Sequence, residues 1–308
     1  MKPDGILIIG GTGFLGTALG RRLSRDGHQV HVLARHAEPV TVANLTMHRG
    51  SIDDVNLLRK ILPFCGTIIH AASTTTPGTS IQQPSMEAMQ NILPTLRLLE
   101  VLREFEERHL IFFSSGGTFY GTSANTPVSE NQPFSPQSYY GAGKVAIEAF
   151  LQAYQGQGGG AVTILRPSNV YGTGQPFRPG FGIIRTMLEH AMHGSLLEIW
   201  GDGEVIRDFI FIDDLVEVCV QLIENPSLAD TYNLGYGQGH SVNHVLRAIQ
   251  SVCKIKLATQ YMPSRQLDVK AIVLDTQRLG HLLNWRPKVQ LEQGLELTWN
   301  WLKTHQQK

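Results

Sequence analysis

Charge of one sign is missing from this chain. Among its 308 residues Lys plus Arg is 26, Asp plus Glu is 26, and the formal net charge is zero. A nucleic-acid binder relies on surplus cations to release phosphate counterions, so the balance argues against that class and leaves local basic sites for a phosphate or two. Cysteine is scarce as well. Cys65, Cys219 and Cys253 form no CxxC pair and are odd in number, which suggests neither a disulfide framework nor structural zinc. No apolar run approaches the roughly 20 residues needed to span a bilayer. The opening MKPDGILIIGG holds an apolar stretch too short for a secretory segment. Histidine is plentiful, and His240/His244 and His190/His193 are spaced for shared helical faces. No HExxH or Cys cluster joins them, so they read as surface residues and no metal is expected. What the chain does have is core. Hydrophobic residues make up 42% and charged ones 17%, which excludes a disordered chain and suits a cytoplasmic enzyme or binding protein.

Over the first 170 residues, short β-rich runs ending at Ile9, Leu33, Ile69, Phe113 and Leu165 alternate with helical periodicity over Phe14–Arg25, Asp53–Leu62, Met86–Glu104 and Tyr140–Tyr154. Strands buried on both faces, joined by crossover helices, produce this rhythm. The fold class expected is α/β, a doubly wound parallel Rossmann-type sheet with a smaller C-terminal α/β domain. Residues 1–172 form the first domain, with 206–238 returning to it, and 173–205 with 239–308 form mainly the second. Thr173–Phe181 is rich in Gly and Pro, ahead of a helix near Ile183–His193 and a strand at Leu196–Trp200.

The run Gly10-Gly11-Thr12-Gly13-Phe14-Leu15-Gly16 follows the first strand at once and opens a helix. Gly10, Gly13 and Gly16 permit a tight turn, close approach to a pyrophosphate and close helix–strand packing, and the helix N-terminus adds partial positive charge. Alone it would pass for a glycine-rich turn; after the first strand of an α/β chain it points to dinucleotide binding. The second strand ends in Ala34-Arg35, where an NAD site usually places a carboxylate for the ribose 2′-hydroxyl. Arg35 suits a 2′-phosphate instead, so the cofactor is NAD or NADP, with NADP favoured. Ser51 and Ile52 after the third strand, and Ala71, Ala72 and Ser73 after the fourth, are placed to line the adenine and the ribose–nicotinamide stretch.

Tyr140 and Lys144 stand four apart near the start of a predicted helix and share a face. A free phenol is a poor base at neutral pH. A nearby ammonium and an oxidised nicotinamide would favour its phenolate and make Tyr140 an acid/base for a sugar hydroxyl. Ser115 and Thr118 follow the fifth strand at the carboxyl edge of the sheet, where a hydroxyl can relay a proton.

With GGTGFLG, IIHAAS, SSGGTFYG, YYGAGK, RPSNVYG, GDGEVIRDFIFIDDL, TYNLG and RQLDV in this order, the whole chain resembles the extended short-chain dehydrogenase/reductase family, in particular nucleotide-sugar 4-epimerases of the UDP-glucose/UDP-galactose type. The resemblance implies that Phe14, Leu15, Asn91 and Pro167 join the residues above and Tyr140/Lys144 around the dinucleotide. It implies that Asn169, Arg207, Arg265 and Asp268 hold the diphosphate and ribose of a nucleotide sugar, that Trp200 borders the base, and that Ser115 and Thr118 touch the sugar. Three departures stand out. Gly116 occupies the usual catalytic Ser/Thr position, so the hydroxyl role falls on Ser115, with Thr118 as helper or rival. Pro94 interrupts the helix after Asn91 and should kink it. The carboxylate expected at Ala34 is missing. Gly116-Gly117 replaces the Asp-Glu pair that dehydratases of the family need.

The resemblance implies a 4-epimerase acting by transient oxidation at sugar C4. The alternatives are an NADPH-dependent nucleotide-linked 4-ketosugar reductase, which Arg35 would suit, and a non-catalytic dinucleotide-binding module. The partner expected is a nucleotide-diphosphate sugar, with no nucleic acid and no membrane. A homodimer is expected through the helices Met86–Glu104 and Tyr140–Tyr154, because the first carries two apolar stripes and a helix on a sheet needs one.

Overall fold

The computed structural model describes residues 3–36, 42–76, 78–80, 83–105, 107–121, 126–264 and 269–305. Its strands are β1 (Gly5–Ile9), β2 (Val30–Ala34), β3 (Leu45–Arg49), β4 (Cys65–His70), β5 (His109–Phe113), β6 (Ala161–Pro167), β7 (Asn169–Tyr171), β8 (Leu197–Trp200), β9 (Ile206–Phe211), β10 (Thr231–Leu234), β11 (Gly239–Ser241), β12 (Thr259–Met262) and β13 (Ala271–Ile272). Its helices are α1 (Phe14–Arg25), α2 (Val55–Ile61), α3 (Pro84–Glu87), α4 (Leu93–Leu102), α5 (Tyr139–Gly156), α6 (Ile183–His193), α7 (Ile212–Glu224), α8 (Val242–Cys253), α9 (Gln277–Leu283) and α10 (Leu291–His305). The chain divides into two compact units, residues 1–119, 138–166 and 216–232 in one and 120–137, 167–215 and 233–308 in the other.

The first unit is built on a seven-stranded sheet of order β10-β6-β5-β4-β1-β2-β3. Every pair from β6 to β3 is parallel. β1, β4 and β5 are buried at nearly every position because helices cover both faces. Leu7, Ile9, Ile68, Leu110 and Phe112 pack there with Leu58 of α2, Leu98 and Leu102 of α4, and Ile147 and Leu151 of α5. β1 lies between β4 and β2, so the chain order reverses there and a crevice opens at the carboxyl ends of β1 and β4. α5 begins where it does because the Ser138 side chain caps it, accepting the Gly141 N–H at 3.1 Å.

The kink expected from Pro94 takes a specific form. The helical stretch from Pro84 to Leu102 is broken by a π-helical turn, Ala88–Ile92, and Pro94 falls in the first turn of α4. A proline lacks the N–H for the carbonyl four residues back and collides with it, so the wider turn absorbs the mismatch and the helix restarts where a missing N–H costs nothing.

The second unit holds a four-stranded sheet, with β9 flanked by β11 and β13 and also paired to β7, and a two-stranded parallel sheet of β12 and β8. At its centre Asp208 is fully buried, and its carboxylate accepts the N–H groups of Tyr236, Gly237 and Leu274. Burial nevertheless pushes it up to about 6. His240 and His244 do not share a helical face as their spacing suggested. His240 lies on β11, and Ser241 caps α8 through the His244 N–H, although the two rings stack with centroids 4.8 Å apart. The helix and strand expected at Ile183–His193 and Leu196–Trp200 are present as α6 and β8.

Cys65, Cys219 and Cys253 are buried free thiols. Among the described residues, no helix is long and apolar enough to cross a membrane, and no group of three or more His, Cys, Asp or Glu is arranged to hold a metal ion.

Candidate active site

The glycine loop between β1 and α1 sits at the crevice. Gly10 has φ +82°, and a Cβ there would lie 2.7 Å from the Cα and N of Ala72, so the loops after β1 and β4 touch through backbone. At Gly16 a Cβ would overlap the Gly10 carbonyl, which brings α1 hard against the loop. Gly13 caps α1 with no side-chain acceptor, and the first turn carries no acidic residue. The leading N–H groups of Phe14, Leu15 and Gly16 therefore point at a site suited to an anion. This donor set, cradled by glycines that admit no Cβ, fits a dinucleotide pyrophosphate.

Around it lie the other residues singled out for the cofactor. Ala34 is buried at the end of β2 and Arg35 is exposed in the following turn. Arg49 of β3, in register with Ala34, is a second exposed cation at this edge, which the linear sequence hid because β3 is distant along the chain. Ser51 and Ile52 follow β3, half-buried, with Ile52 packed on the core. After β4, the Ala71 N–H donates to the Ile9 carbonyl at 3.0 Å, Ala72 backs the glycine loop, and the Ser73 hydroxyl donates to the Thr75 carbonyl at 3.1 Å. Asn91 is buried, and its amide is engaged internally. Its Oδ1 accepts from the Thr74 N–H and hydroxyl, while its Nδ2 donates to Thr75 and Glu87. It pins the loop after β4 to the π turn. Pro167 is buried at the end of β6.

Tyr140 and Lys144 occupy the first turns of α5. Lys144 Nζ donates to the Phe113 carbonyl at 2.8 Å, stands 4.7 Å from the Phe112 ring centre and 5.6 Å from that of Tyr140. The phenolate is expected with both the Lys144 ammonium and an oxidised nicotinamide beside Tyr140, and the protein's own groups by themselves favour the protonated phenol. Burial pushes the phenol well above its ordinary range, the Glu87 carboxylate adds to that, and only the Ser73 hydroxyl beside it pulls the other way. Burial draws Lys144 down to about 8, against the pull of Glu87 and Glu148. At neutral pH the pair is a phenol beside an ammonium.

Two buried groups near the pair went unnoticed in the sequence because each works across space. Glu148 of α5 binds Arg166 of β6 at 2.6 Å and accepts the Ser114 hydroxyl, a neutralised pair below Lys144. Glu87 lies against Gly143 of α5, where an added Cβ would overlap its carboxylate. Ser115 and Thr118 are half-buried after β5, and Thr118 donates to Ser115 at 2.9 Å, so the two hydroxyls form a linked pair.

Of the residues expected to hold the diphosphate, ribose and base of a nucleotide sugar, Asn169, Trp200 and Arg207 belong to the second unit. Asn169 on β7 is exposed, and its amide donates to the Asp208 carbonyl at 2.9 Å. Arg207 on β9, the strand next to β7, is steadied by the Ile206 and Val269 carbonyls at 2.8 and 2.7 Å. Trp200 ends β8 on its outward-facing row. Arg265 and Asp268 lie outside the described residues.

Comparison with known proteins gives the family. Residues 6–235 match the model of the NAD dependent epimerase/dehydratase family. The chain is 31% identical over 301 residues to a UDP-glucose 4-epimerase of Mycolicibacterium smegmatis, covering 95% of this chain and 96% of the other. It is similar to the crystal structure of a Thermotoga maritima UDP-glucose 4-epimerase with UDP-glucose, at a TM-score of 0.89 and 30% identity, covering 97% and 99% of the two chains. A Thermus thermophilus UDP-glucose 4-epimerase in complex with NAD also gives a TM-score of 0.89, at 28% identity and the same coverage. With its glycine loop, parallel sheet and Tyr140/Lys144 pair in the family's order, the chain belongs to the NAD dependent epimerase/dehydratase family of extended short-chain dehydrogenases/reductases, and is an enzyme that uses NAD or NADP.

Proposed function

We propose that the protein is a nucleotide-sugar 4-epimerase of the UDP-glucose/UDP-galactose type, working by transient oxidation at sugar C4. The observation that carries this is the phenol–ammonium pair, half-buried Tyr140 with buried Lys144, at the start of α5 and in the unit that holds the glycine loop. A relative and a solved structure of similar length bear the same activity in their names, which supports the sugar class.

The N–H groups of Phe14, Leu15 and Gly16 would hold the pyrophosphate of the dinucleotide, Arg35 the adenosine ribose side, and Ala71 to Ser73 the stretch toward the nicotinamide. When bound, the nicotinamide supplies hydride transfer to and from C4 and a positive charge in its oxidised form. With the positive charge of the oxidised nicotinamide beside it, Tyr140 would be the phenolate that takes the proton of the sugar 4-hydroxyl and later returns it. Lys144, an ammonium at neutral pH, stabilises the phenolate while it lasts. Ser115, whose own proton is left to donate because Thr118 donates to it, orients the sugar hydroxyl. Asn169 and Arg207, with Arg265 and Asp268, bind the nucleotide diphosphate, and Trp200 borders the base. The protein acts as a homodimer and works in the cytoplasm.

One feature favours a second reading. The exposed Arg35 beside a buried Ala34 suits NADPH, the cofactor of a 4-ketosugar reductase. The two readings part on cofactor use. With UDP-galactose, the epimerase forms UDP-glucose with no net change in nicotinamide absorbance, and that is the result expected. Stoichiometric oxidation of NADPH by a 4-keto nucleotide sugar, with no interconversion of the two hexoses, would make the reductase correct. Neither reaction, in a protein that still binds dinucleotide, would leave a binding module.

A further inference from the structure

Glu87 is a buried carboxylate, 3% exposed, that the mechanism above does not use. Its protonation can be read from the hydrogen bonds around it. The backbone N–H of Thr74 can only donate, and it donates to Asn91 Oδ1 at 3.0 Å, which fixes the orientation of the Asn91 amide. Asn91 Nδ2 therefore faces Glu87 Oε1 at 3.0 Å and Thr75 Oγ1 at 2.8 Å, as a donor to both. Thr75 Oγ1, having accepted that bond, sends its own proton to Glu87 Oε2. Glu87 is thus an acceptor at both oxygens, the pattern of an ionised carboxylate.

Its position is equally constrained. Glu87 closes α3 and presses on α5 at Gly143, the residue beside Lys144 and three after Tyr140, where only glycine leaves room for the carboxylate. The other charged or titratable groups around the pair are accounted for. Glu148 of α5 is matched by Arg166 of β6. His70 of β4 is held neutral by burial, at about 3. Glu148 and Glu87 both favour the Lys144 ammonium, but Glu148 already has Arg166, whereas Glu87 forms no ion pair among the described residues.

We infer that Glu87 is a positioning residue for the Tyr140/Lys144 pair, its ionised carboxylate serving as the buried counter-charge that keeps Lys144 an ammonium and Tyr140 a protonated phenol. The inference rests on the reading of Tyr140 as the acid/base. Glu87 acts in one direction on both groups, adding to the rise of Tyr140 and opposing the burial that draws Lys144 down. The carboxylate makes Tyr140 a reluctant base, so that proton removal waits for another positive charge in the site.

The test is phenolate absorbance in the near ultraviolet, measured as pH is raised while the protein stays folded, with Tyr140→Phe subtracted as the blank. In Glu87→Gln the onset of the Tyr140 phenolate should move down by about one to two pH units, with and without bound dinucleotide. Glu87→Asp, which keeps the charge, should stay near the wild type. An onset unmoved in a folded Glu87→Gln, or moved equally in Glu87→Asp, would overturn the proposal and leave Glu87 a structural residue. If Glu87→Gln fails to fold, Glu87→Met, apolar and of similar length against Gly143, gives the same reading. A Tyr140→Phe protein that turns over normally would sink the acid/base reading itself. An inactive Tyr140→Phe with an unmoved onset would sink only the role of Glu87.

Discussion

At the scale of single residues, Tyr140 gives the sharpest prediction. Replacing it with Phe removes one hydroxyl from a side chain whose ring is packed beside Lys144, so the fold and dinucleotide binding should persist. Turnover should fall by about 100- to 10,000-fold, the usual worth of a general acid–base group. Steady-state rates beside a dinucleotide titration decide it, and a variant above about half the wild-type rate would remove Tyr140 from the chemistry. The hydroxyls after β5 give a second. Thr118 donates to Ser115, so Ser115→Ala deletes the terminal hydroxyl and Thr118→Ala only its support. The first should slow turnover more, and the reverse ranking would give Thr118 the role. A third concerns His70. Thr95 Oγ1 donates to the Asn91 carbonyl, so His70 Nε2 must donate to Thr95, leaving Nδ1 buried with no partner among the described residues. Burial lowers the imidazole to about 3, so between pH 6.5 and about 3 the unfolded chain binds a proton that the folded chain refuses. Stability is therefore lost as pH falls through that window, at roughly 1.4 kcal/mol per pH unit for this site, and is unaffected by it above. Urea denaturation of His70→Asn near neutrality and at about pH 5 should show a smaller acid loss than the wild type. An equal loss would discharge His70 of the effect.

At the scale of elements, the carboxyl ends of β2 and β3 are where the choice between NAD and NADP is to be tested. Ala34 presents no carboxylate, Arg35 is exposed in the turn, and Arg49 is in register on the neighbouring strand. A hydrogen bond from a guanidinium to a 2′-phosphate contributes about 1.5–3 kcal/mol, roughly tenfold to a hundredfold in affinity. NADP(H) should bind at least as well as NAD(H), and Arg35→Ala should weaken NADP(H) alone. Titration of both nucleotides against both proteins tests this. A wild type that strongly prefers NAD, or a variant that loses both nucleotides equally, would show that Arg35 does not read the 2′ position, and the reductase reading would lose its main support.

At the scale of the whole molecule, the open question is what covers the outer helices. Leu98, Val101 and Leu102 of α4 are spent on the sheet, while Met89 of the π turn, Leu93 of α4 and Phe150 of α5 are 61%, 44% and 46% exposed. Leu99 of the expected second stripe is buried, and Ile92 and Leu96 pack partly on the core, so the stripe is reduced to Met89 and Leu93. With Phe150 these exposed apolar side chains suit a helical contact between two copies. Light scattering at micromolar concentration should give a dimer, and Met89→Glu with Phe150→Glu should give a folded monomer. A monomeric wild type would defeat the proposal.

What the sequence determined by itself was local or periodic. Alternating apolar runs set the order of strands and helices, the glycines after β1 need no partner to mark a phosphate turn, and Tyr140 and Lys144 share a face because a helix turns as it does. Such features depend on neighbours a few residues away, and these are written side by side. Pro94 announced a break, but its form, a π turn, depended on how the helix had to sit on its sheet. Only the tertiary structure shows what surrounds the pair, because burial and Glu87, brought by α3 against Gly143, both favour the protonated phenol. It alone bound Asn91 into a network with Glu87, linked Thr118 to Ser115, and set Arg49 beside Ala34. Electrostatics and hydrogen bonding act through space, over distances that the linear order of residues does not encode.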